Sequence, residues 1–230
     1  MSVGAVLFDF SGTLFRLEED ESWFAGMHLQ GGTEAEVDGH VQTELMRRLT
    51  APTRRARELP PEAYKAWVNR DLAPHLHREA YLHVLRESGL ADHHAEALYR
   101  RVIDPACWTP YPDTADVLKA LSARGFKIAV VSNIAFDLRP AFARIEAAEA
   151  VNEFVLSFEV GVVKPNPEIF QIALRRLAVA APDAVMIGDS DEADGAARTV
   201  GCGFVLVDPL PTDQRPHGLR EALASYGVQL

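Results

Sequence analysis

The sequence predicts an α/β protein, a Rossmann-like open parallel sheet whose core domain is interrupted by an inserted all-helical cap. Three observations predict it. Short continuous apolar runs recur at 4–9, 127–133, 154–158, 184–189 and 203–208. Helical patterns stand at 113–125, 167–179 and 191–201, so that strand and helix alternate along the second half of the chain. Residues 16–110 break this alternation with helical periodicity and no convincing buried strand.

Each element has a physical reason. The run GAVLFD at 4–9 is followed by Ser11, Gly12 and Thr13. A buried parallel strand looks like this where it ends in a loop at the carboxyl edge of its sheet. The runs KIAVVSN (127–133), AVMIGD (184–189) and GFVLVD (203–208) have the same shape. The run FVLSF (154–158) supplies a fifth strand. Alternating strands and helices imply a parallel sheet covered on both faces, and ligands of such sheets bind outside the strands' carboxyl ends. Four of the five runs place polar or acidic residues there. The core is therefore assigned to 1–15 and 110–230 and the helical cap to 16–109, with hinges near Phe15 and Pro110–Pro112. The cap stretch is punctuated by Gly31-Gly32, Pro52, Pro60-Pro61 and Pro74. It holds seven of the eight histidines, all three tryptophans and an arginine cluster at Arg47, Arg48, Arg54, Arg55 and Arg57.

Composition narrows the function. The chain has 230 residues, 48% of them apolar, which is enough to bury a real core. Lys+Arg number 23 against 33 Asp+Glu, a formal charge of −10. Nucleic acids and anionic membrane surfaces reward basic proteins, so neither is the expected partner. A small phosphorylated substrate in a local site remains compatible. No apolar stretch approaches the ~20 residues of a membrane helix. The opening MSVGAVLFDF reads as a strand and not as a signal peptide. Cys107 and Cys202 show no metal or redox spacing, which suits a reducing cytoplasm.

The candidate chemistry gathers at strand ends. Asp9 could be a nucleophile or metal ligand held by the Gly12 turn, or a loop aspartate that caps it. Ser132 and Asn133 could donate to phosphate oxygens or close a turn. Lys164 stands before Pro165, which keeps it out of helix geometry, and Pro167 can open the next helix. A lysine fixed there can neutralise a carboxylate and a transferring phosphoryl group. Asp189, Asp191 and Asp194 crowd one strand end with no basic neighbour, an arrangement that suits a hard cation such as Mg²⁺. Asp191 is expected to cap the helix starting near 191, with Asp189 and Asp194 facing the site. In the cap, Trp23, Phe24, His28, Trp67 and the arginines could touch substrate, although aromatics at helical spacing usually form core. His75 and His77 form an H-x-H pair without a third ligand, a weak metal signal. His93-His94 read as a polar helix start and the acidic run at 18–22 as a solvated helix entrance.

Together DFSGTLF at 9–15, VVSN at 130–133, KPNPEIF at 164–170 and GDSDEAD at 188–194 resemble the haloacid dehalogenase-like hydrolase superfamily, in the subgroup with a helical cap after the first motif. The resemblance spans residues 4 to about 208. It implies a hydrolase in which Asp9 forms an aspartyl-phosphate. Gly12, Thr13, Ser132 and Asn133 would bind the phosphoryl group, and Lys164 would steady nucleophile and phosphate. Mg²⁺ would be held by Asp9, the backbone carbonyl of Ser11, Asp189 and Asp194. The sequence departs from the family at one position. Phosphatases of the family usually read D-x-D-G-T, and the second Asp handles the proton of the leaving oxygen. Here Ser11 occupies it, and a serine has no proton to trade near neutral pH, so slow hydrolysis of alkyl phosphates is expected. The resemblance leaves three alternatives: a C–halogen hydrolase, a phosphonoacetaldehyde hydrolase-like enzyme using Lys65, the only cap lysine, or a catalytically weak binder of phosphorylated ligands. Monomer and homodimer are both compatible.

Overall fold

The computed structural model describes residues 3–18, 23–24 and 60–230. His28, Gly31-Gly32, Pro52, the arginine cluster at 47–57 and acidic residues 19–22 lie outside the described residues. In chain order the elements begin with β1 (Ala5–Phe8), β2 (Phe15–Leu17), α1 (Pro61–Asn69), α2 (Pro74–Glu87), α3 (Asp92–Val102) and β3 (Trp108–Pro110). They continue with α4 (Thr114–Ala123), β4 (Lys127–Ser132), α5 (Arg139–Arg144), β5 (Glu153–Leu156) and the single turn α6 (Ser157–Val160). The remainder comprises α7 (Pro167–Leu177), β6 (Ala184–Gly188), β7 (Gly203–Leu206) and α8 (Gly218–Ser225).

The main sheet is parallel, in the order β5-β4-β1-β6-β7. From the central β1 the chain runs outward through β4 to β5, then crosses back to β6 and β7. The reversal opens a crevice at the carboxyl ends of β1 and β6, where doubly wound sheets bind ligands. Register places Phe8 beside Val130 and Ile187, so Asp9, Ser132 and Asp189 emerge together at that edge. Both faces of β1 are buried. Val6 and Phe8 face one hydrophobic cluster that includes Val117, Leu121 and Leu223 from α4 and α8. Ala5 and Leu7 face a second cluster with Ile169, Phe170 and Leu177 from α7. The period of two along β1 thus feeds one core on each side of the sheet.

The helical part is visible in α1 to α3. Pro61 and Pro74 open α1 and α2 at their first positions, where a missing N–H costs nothing. These two prolines, breakers in the sequence, are thus helix starts. Two differences stand against the expected elements. A two-stranded antiparallel ribbon, β2 with β3, lies at the ends of the helical stretch, where no strand was expected. Each strand has only three residues, too few to show a period. The helix expected at 191–201 is instead a turn followed by a 3₁₀ helix at Gly195–Val200. The backbone N–H groups of Asp194 and Gly195 both return to the Ser190 carbonyl, at 2.8 and 3.1 Å. Asp191 therefore caps nothing and pairs on the surface with Arg198 at 2.6 Å. The 154–158 strand likewise ends at Leu156, and Ser157 begins α6.

Trp23 and Trp67 are buried in the core and do not face a ligand space. His75 is exposed while His77 is buried against Tyr99, so the H-x-H pair shares no site. Cys107 and Cys202 form no disulfide with one another. Among the described residues no helix is long and apolar enough to cross a membrane.

One long-range cap secures the C-terminus. Asp113 Oδ2 accepts from the backbone N–H groups of Leu219 and Arg220 at 3.0 and 3.1 Å, supplying from another element the N-terminal acceptor that α8 lacks locally. Asp113→Ala should lower stability by about 1–2 kcal/mol, read as a lower urea midpoint with an unchanged m-value.

Candidate active site

The site begins with the turn after β1. The N–H groups of Leu14 and Phe15 both close onto the Phe10 carbonyl, at 3.0 and 2.9 Å, and the Gly12 N–H donates to the Phe15 carbonyl at 2.7 Å. Gly12 has φ +75°, and a Cβ there would stand 2.5 Å from Asp189 Oδ2. Only glycine satisfies both the backbone and the approach of that carboxylate. The buried Arg215 holds the turn from behind, donating to the Gly12 carbonyl at 2.7 Å, the Asp208 carbonyl at 2.9 Å and the Thr13 carbonyl. Its guanidinium lies 3.2 Å from the Tyr111 ring centroid.

Lys164 is the centre of the charge arrangement. Its buried Nζ donates to Asp9 Oδ1 at 2.6 Å, Asp194 Oδ1 at 2.6 Å and the Val131 carbonyl at 2.8 Å. All three ammonium protons are thereby used. The backbone of Lys164 is clamped by Asn133, whose Oδ1 accepts from the Lys164 N–H at 2.7 Å while its Nδ2 donates to the Lys164 carbonyl at 2.9 Å. Asp194 completes the frame, its second oxygen accepting from the Ser190 N–H at 3.0 Å. Asp189 stands beside this frame. Asp9, Asp189 and Asp194 each offer an oxygen within 4.8 Å of the others.

Three carboxylates thus share one ammonium. Burial pushes the Asp9 carboxyl up to about 8; Lys164 opposes the rise, and Asp194 and Asp189 add to it. Asp189 is pushed up to about 6, by burial and then by the charge of Asp194. Burial, which alone favours a neutral amine, is the largest influence on Lys164, but Asp194 and Asp9 together raise its pKa. The site has a surplus of negative charge that a divalent cation would relieve.

Above the cluster lies a cavity of about 490 Å³, lined on the sheet side by Asp9, Ser11, Gly12, Ser132, Asn133, Lys164, Asp189 and Asp194. Thr13 is completely buried and does not line this cavity. The Asn133 side chain lines the cavity and also clamps Lys164 through both of its backbone groups. The opposite wall comes from helical residues with no motif to announce them: Arg70, Asp71, His77 and Tyr81. Arg70 and Asp71 sit in the short segment between α1 and Pro74. A polar pair at a helix break was their only signal in the sequence. Arg215 had none.

A strand-end carboxylate, a buried lysine and an acid cluster at the switch point, roofed by helices, define a capped, doubly wound α/β enzyme. The chain belongs to the haloacid dehalogenase-like hydrolase family, whose model matches residues 3–201. Among its relatives, a glyceraldehyde 3-phosphate phosphatase from Methanopyrus kandleri is 42% identical over 101 residues, 43% of this chain and 42% of the relative. A phosphoserine phosphatase from Thermus thermophilus is 32% identical over 150 residues, 64% of this chain and 58% of the relative. The chain thus spans about half the length of the curated relatives it matches. In fold it is similar to a dehalogenase crystal structure, with a TM-score of 0.67 and 22% identity, over 90% of this chain and 85% of that one.

The close approach at Gly12 yields a direct test. Gly12→Ala should cost about 1–2 kcal/mol for the left-handed backbone alone. It should also displace Asp189, read as a lower melting temperature together with weaker Mg²⁺ binding in a calorimetric titration.

Proposed function

We propose that this chain is a Mg²⁺-dependent phosphatase that hydrolyses a small phosphorylated metabolite through an aspartyl-phosphate on Asp9. The observation that carries the reading is the cluster of Asp9, Asp189 and Asp194 at the floor of the cavity, two of which, Asp9 and Asp194, also pair with Lys164. Hard oxygen donors in mutual reach, with more negative charge than one lysine can balance, fit a small divalent cation. Asp9 and Asp189 would hold it, with the Ser11 carbonyl implied by the family resemblance. Asp194 closes the cluster while tethering Lys164. A bound Mg²⁺ supplies positive charge that favours the ionised carboxylates and spreads the charge of the phosphoryl group.

The chain's own residues supply the rest. Lys164 fixes Asp9 Oδ1 and leaves Oδ2 for attack on phosphorus. The Lys164 charge also faces the phosphoryl oxygens, and Ser132 at the end of β4 offers them a hydroxyl. The relatives named as phosphatases support the phosphoryl reading. The carboxylate trio favours it over a metal-free displacement of halide. Lys65 is exposed on α1 and does not line the cavity, which counts against an imine-forming role. The net charge of −10 favours a small substrate held locally over a polyanionic partner.

A rapid-mixing assay with p-nitrophenyl phosphate tests the proposal. Wild type with Mg²⁺ should release a burst of about one nitrophenolate per enzyme, followed by a slower steady rate. The burst should vanish without Mg²⁺ and in Asp9→Asn. A burst that survives Asp9→Asn, or turnover of 2-haloacids without any phosphoryl transfer, would sink it.

A further inference from the structure

The phosphatase reading leaves a proton unassigned, because Ser11 stands where an acid is needed. We infer that Asp71, on the helical wall of the cavity, is the general acid and base of this site, donating to the leaving oxygen and later accepting from the attacking water. The inference rests on the phosphatase reading and on where in-line displacement sends the leaving group. Attack from Asp9 at the cavity floor drives the leaving oxygen to the opposite side of phosphorus. The helical segments that line the same cavity contribute Arg70, Asp71, His77 and Tyr81 as its polar residues.

Of these four, Asp71 is the one carboxylic acid, and its burial favours the protonated form. Arg70 stays charged. Burial and the Arg70 charge lower His77 to about 3, so it is a neutral ring, and its Nδ1 already meets the Tyr99 hydroxyl at 3.1 Å. Burial holds the Tyr81 phenol above its ordinary value. Asp71 is buried, and its desolvation raises the carboxyl's pKa, with the charges of Arg70 and Lys164 opposing. The groups facing it are Arg70 at 3.3 Å, His77 at 3.9 Å, Tyr81 and, across the cavity, Lys164.

Asp71 is also held in place over the floor. Ser157 Oγ donates to the Asp71 carbonyl at 2.6 Å and accepts from the Ile134 N–H at 2.9 Å. Ile134 follows Ser132 and Asn133, so one hydroxyl pins the Asp71 backbone to the loop beside Lys164. The proton balance closes over the cycle. Asp9 forms its bond to phosphorus, the bond to the leaving oxygen breaks, and that oxygen takes the Asp71 proton. Asp71 then takes a proton from water as the water oxygen bonds to phosphorus and the bond to Asp9 breaks. Inorganic phosphate leaves, and Asp71 is again protonated.

The test uses aryl phosphates of graded leaving-group pKa, from p-nitrophenyl to phenyl phosphate, in single turnover with Mg²⁺. Asp71→Asn should slow phenyl phosphate by about 10²–10⁴-fold and p-nitrophenyl phosphate far less, because nitrophenolate needs little protonation. The fall in wild-type phenyl phosphate rate at high pH should disappear from the variant's profile. Ser11→Asp in the Asp71→Asn background should restore phenyl phosphate turnover. The p-nitrophenyl burst of each variant reports whether its site is folded; if Asp71→Asn fails there, Asp71→Ser enters the same comparison. Equal losses on both substrates, or no loss on either, overturn the role of Asp71. A wild type that releases no nitrophenolate with Mg²⁺, in a burst or in steady turnover, removes the phosphatase reading beneath it.

Discussion

The buried ammonium of Lys164 is the interaction on which the site depends. A lysine placed in a protein interior must find full compensation, since removing one partner leaves a charge stranded at a cost of several kcal/mol. Here three acceptors take all three protons. The Val131 carbonyl belongs to β4, Asp9 follows β1, and Asp194 lies beyond β6, so one cation ties three parallel strands together at their carboxyl ends. The same bond orients the Asp9 carboxylate. In the proposed mechanism, positioning and activation of the Asp9 nucleophile would be a single event, and both would depend on the Asn133 clamp that fixes where the Lys164 backbone lies.

The site is supported from the far end of the chain. Arg215 supplies the donors that the Gly12 and Thr13 carbonyls need, and it rests on Tyr111, whose hydroxyl donates to the Leu210 carbonyl at 2.8 Å. Two residues on, Asp113 caps α8. The first turn of the chain, the entry to α4 and the last helix are thus one hydrogen-bonded unit. A buried guanidinium with carbonyl partners is rigid because its fork fixes several directions at once. The Gly12 turn therefore keeps its shape beside Asp189 without needing a side chain of its own.

The sequence reveals the sheet and the floor of the site well, and the roof poorly. Five apolar runs became five parallel strands; in β1, β4 and β6 burial on both faces forces continuous hydrophobicity, a pattern that survives without any tertiary knowledge. Asp9 and Asp189 are legible because each follows a strand end, Lys164 because it sits in a proline-framed loop, and Asp194 because it belongs to a run of acids beside Asp189. Asp194 misled in one respect. Its inward turn replaced the expected helix with a 3₁₀ segment, since side-chain bonds to Lys164 and the Ser190 N–H outweighed local helical preference. Asn133 carries a partner that the sequence did not announce, the backbone of Lys164. An amide beside a phosphate site and an amide clamping a lysine backbone look alike in one dimension. Arg70, Asp71 and Arg215 act through long-range contacts, and periodicity carries no information about those.

The serine at position 11 and the carboxyl at position 71 become intelligible together. An acid carried on residue 11 would be present whenever the first turn is folded, whether or not the helical wall is seated. An acid carried on Asp71 is in place only while the Ser157 hydroxyl holds the segment before Pro74 against the loop after β4. Chemistry would then require the roof to be closed, with water already excluded from the phosphoryl group. That arrangement would couple substrate binding to proton transfer, since contacts that seat the wall on a fitting substrate would also deliver the proton. The trade is a general one: induced assembly of the catalytic set gains discrimination at some cost in rate. A serine at position 11 is then a consequence of where the acid resides, not merely a missing part.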